Sequence, residues 1–239
     1  RTALIGKWHL GYLQKHHPMN FGFQKFVGFK SGNVDYQSHR NRYGDVDWWD
    51  GLEMKNMPGY TTTLLTTLSE DYIKENKDKP FCLYIAHAAP HSPMQGPNEK
   101  AIRTEATLEG NKNSDRPNKE IYKDMVEELD WSVGRILETL KKYKLDKNTF
   151  VVFFSDNGPV INNGGSTGGY RGAKGAPWEG GHRVPGICYM PGTVKGGTMC
   201  KQTVMSFDLF PTMLDMANIH YDDSKKKLDG ASLVPLFKG

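Results

Sequence analysis

The sequence has few features that could cross-link it covalently or anchor it in a membrane. Its 239 residues include only three cysteines, Cys82, Cys188 and Cys200, and none belongs to a C-x-x-C pair. A zinc ribbon and a thioredoxin-type redox motif are therefore excluded. Cys82 and Cys188 lie within apolar runs, which predicts that both are small buried hydrophobic residues. No run approaches the ~20 consecutive apolar residues of a membrane helix, so we expect no membrane span.

Neither charge sign dominates. Lys and Arg number 31 against 27 Asp and Glu, a formal net charge of +4. Such a thin excess gives no indication of nucleic-acid binding. The sequence also lacks an Asn-x-Ser/Thr acceptor, which disfavours a glycosylated eukaryotic secreted protein but not an exported bacterial one. Hydrophobic residues make up 37% of the chain and aromatic residues 11%, enough for a sizeable core.

Short apolar runs alternate with helical patterns. The predicted buried strands are Thr2–Gly6, Phe81–Ala86, Phe150–Ser155 and Val184–Tyr189. Helical spacing of apolar residues predicts helices around 64–73, over Asn118–Tyr143 and over Phe207–Ala217. This order predicts one α/β domain, with a mostly parallel sheet sandwiched by helices.

Two loop-rich segments interrupt the alternation. Lys30–Pro58 is polar and carries His39, Arg40, Arg42, Asp47, Trp48 and Trp49, and Gly158–Gly181 is rich in glycine. Aromatic and charged residues together are typical of sugar-binding surfaces, but Trp48 and Trp49 could equally pack the first loop against the core. The sequence leaves both interpretations open.

Polar residues follow three of the predicted strands. Lys7 and His9 follow the first strand, His87 and His91 the second, and Asp156 and Asn157 the third. In open α/β sheets, ligands bind beyond the carboxyl ends of the strands, so these groups are expected to converge. Each has a simpler alternative: Asp156–Asn157–Gly158 is a good turn sequence, and the others could be solvated strand ends or loop caps. His87 is interpreted as structural.

Taken together, these groups predict an anion site beside a divalent metal. Lys7, His9 and His91 supply cationic or proton-donating groups, and Asp156 and Asn157 supply hard oxygen ligands for Ca²⁺ or Mg²⁺. Positive charge and a Lewis acid suit the hydrolysis of a tetrahedral oxyanion ester, either sulfate or phosphate.

At these residues the sequence resembles the sulfatase family, the arylsulfatase type of the alkaline-phosphatase-like superfamily. Within it, the resemblance is to carbohydrate sulfatases such as the N-acetylgalactosamine-6-sulfatase type. The matching blocks are Thr2–Gly11, Pro90–Pro93, Ser155–Gly158, Gly172–Gly175, Trp178–Pro185 and Phe207–Thr212, and they keep the order of the family along almost the whole chain.

The resemblance implies a role for each matching position. Asp156 and Asn157 would be two Ca²⁺ ligands, with Mg²⁺ the less favoured metal. Lys7 and His9 would hold and deprotonate a catalytic aldehyde hydrate. His91 and Lys174 would bind the sulfate oxygens, and one of them would assist the leaving group. Glu179 and Arg183 would brace their loop through a salt bridge.

One element of the family pattern is missing. The family makes its formylglycine nucleophile from Cys or Ser within C/S-x-P-S-R, and no such motif occurs here. We therefore expect residues 1–239 to be the central part of one catalytic domain, truncated at both ends and lacking the nucleophile segment and a C-terminal subdomain. By itself this chain is expected to be inactive.

The resemblance implies that the full-length protein is a formylglycine- and Ca²⁺-dependent sulfuric ester hydrolase. Its partner would be a sulfated carbohydrate or an aryl sulfate. An exported location, periplasmic or extracellular in a bacterium, is favoured over the lysosome, although the chain shows no signal peptide. Two alternatives stay open: a phosphonate or phosphate ester hydrolase of the same superfamily, and a catalytically dead protein that binds anions or glycans.

Overall fold

The computed structural model describes residues 1–105, 116–224 and 226–238. The described chain forms two compact units. The first consists of Arg1–Tyr143 and Asn157–Arg183, and the second of Lys144–Asp156 and Val184–Gly239. The expectation that residues 1–239 belong to one catalytic domain stays a prediction.

The first unit contains a mixed sheet of five strands in the order β4-β3-β2-β1-β5. Its strands are β1 (Thr2–Lys7), β2 (Lys25–Phe29), β3 (Trp49–Asp50), β4 (Glu53–Met54) and β5 (Cys82–Ala86). The central strand β1 is parallel to both β2 and β5, whereas β3 and β4 add antiparallel pairs at one edge. The α/β class and the strands β1 and β5 are as predicted, but β2, β3 and β4 are not among the predicted strands.

Two long helices accompany this sheet, α1 (Thr61–Glu75) and α2 (Asn118–Lys142). Both were predicted from their apolar spacing. Leu65 and Ile73 on α1 and Ile121 and Met125 on α2 are at most 1% exposed, so the apolar stripes face the interior. The short helix α3 (Glu179–His182) follows the glycine-rich loop. None of the helices within the described ranges is sufficiently long and apolar to cross a membrane.

The loop after β2 is packed into the core. Trp48 is fully buried, and its ring lies 4.3 Å from the His39 ring and 6.5 Å from that of Phe29 (centroid distances). Trp49 donates from Nε1 to Asp47 Oδ1 at 2.7 Å and carries the Lys30 ammonium 3.4 Å above its ring. Both tryptophans therefore hold the loop in place, which favours the packing interpretation for these two residues.

The second unit differs from the prediction. Its strands β6 (Val151–Phe154) and β7 (Gly186–Tyr189) form a separate antiparallel pair and do not extend a buried parallel sheet. The apolar runs were expected to be covered on both faces, yet Ile187 is 59% exposed. Helices α4 (Leu209–Met216) and α5 (Val234–Lys238) complete the unit, and α4 lies within the predicted range.

The cysteines correct a related expectation. Cys82 is exposed and Cys188 is only partly buried. Cys82 begins β5, which lies at the edge of the five-stranded sheet, and Cys188 belongs to the two-stranded pair. An apolar run indicates a strand, but whether both faces of that strand are covered depends on its neighbours.

A row of small residues crosses the sheet at its carboxyl end. Gly6 is in register with Gly28 on β2 and with Ala86 on β5. A Cβ atom on Gly6 would lie 2.1 Å from Ala86 O, and one on Gly28 would lie 2.1 Å from Gly6 O. Gly6 also has φ +124°, which L side chains rarely adopt. Glycine at these positions lets the three strands approach each other closely just before Lys7.

We predict that Gly6→Ala destabilises the fold by about 2 kcal/mol or more, because the new methyl group would overlap the backbone of β5, which cannot move aside cheaply. Urea unfolding would measure the loss. Gly134→Ala on α2 is the matched control: a Cβ there meets no atom within 4 Å, so it should be neutral or stabilising by up to ~1 kcal/mol. Equal stability of the Gly6→Ala variant and the parent chain would contradict the packing described above.

His87 joins the end of β5 to both long helices. Its Nε2 lies 3.2 Å from Ser132 Oγ, which in turn accepts a 2.6 Å hydrogen bond from Thr66 Oγ1. Although part of the residue reaches the surface, Nδ1 is buried and has no hydrogen-bond partner within the described ranges. Burial lowers the pKa of His87 to about 4. The imidazole is therefore neutral at pH 7, which agrees with a structural role.

This pKa predicts that acid destabilises the fold. Between pH 6.5 and 4 the unfolded chain binds a proton at His87 that the folded chain does not, so the free energy of unfolding falls as the pH falls through this window. At about 1.4 kcal/mol per pKa unit, the loss reaches at most ~3.5 kcal/mol. His87→Gln should remove this part of the pH dependence, as measured by urea unfolding at several pH values. Parallel pH profiles for the parent and the variant would contradict the assignment.

Candidate functional site

The chain leaves β1 alongside β2 and then turns sharply. Trp8 N donates to Phe29 O at 2.9 Å, and His9 N donates to Lys30 O at 3.2 Å, so the parallel pairing continues past Lys7. His9 itself has φ 56°, in the left-handed region, and the extended backbone ends there. Strand alternation by itself therefore does not fix the direction of the His9 side chain.

Gly32 supplies that constraint. A Cβ atom on Gly32 would lie only 2.5 Å from His9 Nε2, so the imidazole packs directly against the bare backbone of the loop after β2. The indole of Trp8 anchors the other side of the turn, because its Nε1 donates to His16 O at 2.8 Å. His9 is exposed, and its position depends on a glycine that sequence analysis did not single out.

His91 is oriented by its own loop. Its backbone N donates to Ala88 O at 2.9 Å, and Tyr36 Oη donates to His91 O at 2.9 Å. Nδ1 lies 2.8 Å from Ser92 O. A carbonyl oxygen can only accept, so Nδ1 carries the proton. In the neutral ring Nε2 is then the basic nitrogen, and in the cation it becomes a donor.

Asp35 connects the loop after β2 to the segment that follows His91. Its carboxylate is fully buried and accepts from the backbone N of Gln37, Ser38, Ile102 and Arg103 at 2.7–2.9 Å. Burial raises the pKa of this carboxyl, but the four backbone donors outweigh it and hold the pKa below its usual value. Asp35 is therefore ionised at neutral pH and fixes the two segments against each other.

These segments enclose a cleft of about 380 Å³ within the first unit. Its lining includes Asn33, Arg42, Ser92, Arg103 and Asn163. Asn33 follows Gly32, which contacts His9, and Ser92 follows His91. The cleft is thus lined by the residues that directly follow Gly32 and His91, and the convergence of His9 and His91 themselves stays a prediction.

Lys174 lies in the glycine-rich loop, which folds tightly on itself. Its backbone N donates to Pro159 O at 3.0 Å, and Gly180 N donates to Arg171 O at 2.8 Å. A Cβ on Gly180 would lie 2.4 Å from Gly172 O, so a larger residue could not fit there. The bond to Pro159 ties Lys174 to the segment that contributes Asn163 to the cleft, and the Lys174 side chain is exposed.

The predicted brace in this loop is confirmed. Arg183 Nη1 lies 3.2 Å from Glu179 Oε2, within one turn of α3. Both side chains are more than half exposed, so this ion pair contributes little to stability, on the order of 0–1 kcal/mol.

Asp156 and Asn157, the residues predicted to bind a metal, lie where the two units meet along the sequence. Asp156 is exposed and ends the segment of the second unit, whereas Asn157 begins the segment of the first. Asn157 Nδ2 donates to Gly158 O at 2.9 Å, which orients the amide. Across the described ranges, no group of three or more His, Cys, Asp or Glu residues could hold a metal ion. A carboxylate and an amide suit Ca²⁺ chemically, but they cannot complete its coordination alone.

The described chain places three further residues at the site that the motifs did not reveal: Gly32, Asp35 and Arg103. Gly32 and Asp35 lie within Lys30–Pro58, a segment that was noted only for its aromatic and charged composition. Arg103 lies in a stretch without periodicity. An isolated glycine, aspartate or arginine in a loop carries no spacing signal, so only the fold identifies them.

Comparison with known proteins identifies relatives of this chain. The chain is 32% identical to N-acetylgalactosamine-6-sulfatase of Canis lupus familiaris, over 100% of this chain and 46% of the relative. It is 33% identical to arylsulfatase J of Mus musculus, over 96% and 38%. The chain therefore spans about half the length, or less, of these curated relatives.

Solved structures share the fold. Ps i-CgsB, crystallised in complex with k-i-k-neocarrahexaose, superposes with a TM-score of 0.84 at 29% identity, covering 99% of this chain and 54% of the other. The PsFucS1 sulfatase from Pseudoalteromonas sp. superposes with a TM-score of 0.74 at 23% identity, over 100% of this chain and 52% of the other. The family model described as Sulfatase matches residues 1–219, and the chain belongs to the sulfatase family.

Proposed function

We propose that the protein containing this chain is a sulfuric ester hydrolase that removes sulfate from a sulfated carbohydrate or an aryl ester. The observation that carries the proposal is the sulfatase-family fold, in which His9 packs against Gly32 and His91 directly precedes a residue that lines the cleft. Curated relatives named as sulfatases of N-acetylgalactosamine 6-sulfate, aryl sulfates and steryl sulfates support the reaction class.

The residues of this chain then have distinct tasks. Lys7, at the end of β1, and the exposed Lys174 would place positive charge beside the sulfate oxygens. His91 carries its proton on Nδ1, so its Nε2 would bind a sulfate oxygen or, when protonated, give a proton to the departing alcohol. His9, held against Gly32, would take the proton of the nucleophile.

The proposal includes two groups that the described residues do not supply, a Ca²⁺ ion and a formylglycine. Asp156 and Asn157 would contribute oxygen ligands to Ca²⁺, and a formylglycine would come from a motif that this sequence lacks. When present, the metal would supply Lewis acidity and the formylglycine hydrate would supply the attacking oxygen. A carboxylate and an amide oxygen favour Ca²⁺ over Mg²⁺, because Ca²⁺ accepts irregular sets of such oxygen ligands whereas Mg²⁺ demands a nearly ideal octahedron and keeps several waters. We also propose export from the cell as the location.

The competing function is hydrolysis of phosphate or phosphonate esters, which shares the same charges. Turnover of matched aryl sulfate and aryl phosphate esters by the full-length protein distinguishes the two. We expect the higher kcat/KM for the sulfate ester. Preference for the phosphate ester would transfer the assignment to that class, and no turnover of either ester would favour a protein that only binds anions.

We predict that His91→Ala or Lys174→Ala in the full-length protein lowers kcat by at least ~100-fold, as expected when one preorganised donor to a developing charge is lost. His220→Ala and Lys201→Ala change exposed residues of the second unit and serve as controls with unchanged turnover. A drop of less than about threefold in the site variants would contradict their assigned roles.

Gly32→Ala tests how His9 is positioned. The added methyl group would overlap Nε2, the end of an exposed side chain that can swing away, so stability should change by less than ~1 kcal/mol. Displacing the imidazole by about 1 Å should still lower kcat by 10- to ~100-fold in the full-length protein. The His9 Cε1–H resonance of the chain should shift in an NMR spectrum.

The control is Gly196→Ala, where a Cβ meets no atom within 4 Å. Unchanged turnover together with an unchanged His9 resonance in Gly32→Ala would show that Gly32 does not seat this histidine.

A further inference from the structure

Arg103 is a buried charge with unused hydrogen-bonding capacity. The residue is only 3% exposed, yet it lines the cleft beside Ser92. Nη1 donates to Arg40 O at 3.2 Å. A guanidinium has five N–H donors, and no other hydrogen bond of this group to a described residue is present. No Arg103 nitrogen is among the buried side-chain atoms of the described residues that lack a partner, so the remaining donors open onto the cleft, where an acceptor can reach them.

The nearby carboxylate does not fill that place. Both oxygens of Asp35 already accept from backbone N–H groups, including that of Arg103 itself. No ion pair between the Asp35 carboxylate and the Arg103 guanidinium is formed within 4 Å. Asp35 therefore offsets the charge of Arg103 without a direct ion pair. The remaining N–H donors of the Arg103 guanidinium are not bonded to this carboxylate.

Arg42 adds a second cation to the same cleft. It is exposed and lines the cleft with Arg103, and its charge lies close enough to act on that guanidinium. Burial lowers the pKa of Arg103, the charge of Asp35 opposes this shift, and the charge of Arg42 adds to it. No acidic residue is among the described residues that line the cleft, and Asn33, Ser92 and Asn163 add neutral polar groups.

We propose that this cleft is a second anion-binding subsite, separate from the groups assigned to the reacting sulfate. Its ligand is a sulfate ester or a carboxylate on the same glycan. The inference rests on the proposed function, since Ser92 adjoins His91 and places the second anion within reach of a sugar whose sulfate is hydrolysed. A planar guanidinium binds either anion in a bidentate manner, and the substrate is therefore a glycan with at least two anionic groups.

Calorimetric titration of the chain tests this subsite without turnover. Three probes share one galactose disaccharide: the first carries one sulfate, the second carries a further sulfate on the other ring, and the third carries a carboxylate there. We expect the second anion to tighten binding by about tenfold or more, which corresponds to ~1.4 kcal/mol. The second and third probes show whether sulfate or carboxylate is preferred.

Arg42→Gln should bring the affinities of the three probes together, because the exposed cation of the subsite is lost. Arg135→Gln is the matched control: it removes the same charge from the surface of α2, where Arg135 pairs with Glu70. It should keep the preference for two anions, which separates a defined subsite from general attraction. Arg103→Lys keeps the positive charge but removes the planar guanidinium that binds an anion through two parallel N–H donors. It should weaken binding of the doubly anionic probes without abolishing it.

The outcomes are distinct. Measurable and equal affinity for the singly and doubly anionic probes would overturn the subsite and leave the proposed function in place. Equal loss in Arg42→Gln and Arg135→Gln would also overturn it, since the effect would then follow net charge. No binding of any probe would count against both the subsite and the carbohydrate substrate. If Arg103→Lys fails to fold, Arg42→Gln decides.

Discussion

Asp35 is a fully buried carboxylate that accepts hydrogen bonds from two separate segments of the chain. One segment follows β2 and the other follows the loop of His91. An ionised carboxylate without water is costly unless its lone pairs are used, and here four backbone donors use them. The geometry of the cleft follows from this arrangement, because the walls that carry Asn33 and Arg103 are joined through the same two oxygens.

Glycine decides what can approach the site. Gly6 and Gly28 let three strands close up just before Lys7, and Gly32 gives the His9 ring a flat backbone to pack against. At each of these positions a Cβ atom would block the close approach that the structure shows. The chemistry of the site depends on charged and titratable groups, but their positions depend on residues with no side chain.

The cleft joins the proposed reaction to the proposed specificity. His91 and Ser92 are sequence neighbours, yet His91 is assigned to the reacting sulfate and Ser92 to the second anion. A glycan with anions on successive sugars would be recognised at both places. In the proposed subsite Arg42 and Arg103 differ in their tasks: the exposed Arg42 would attract the ligand, and the buried guanidinium of Arg103 would fix its orientation.

The α/β class and the two long helices follow from local signals, namely apolar spacing and strand-like runs. The histidines, lysines, aspartate and asparagine that are assigned to the reaction follow from short motifs that resemble the sulfatase family. These signals are contained in short stretches, so the sequence determined them without help. The antiparallel pairing of β6 with β7, the exposure of Cys82, the seat of His9 on Gly32 and the buried Arg103 were decided only by the tertiary structure. Each depends on which distant backbone lies next to a residue, and no pattern within one stretch of sequence encodes that neighbour.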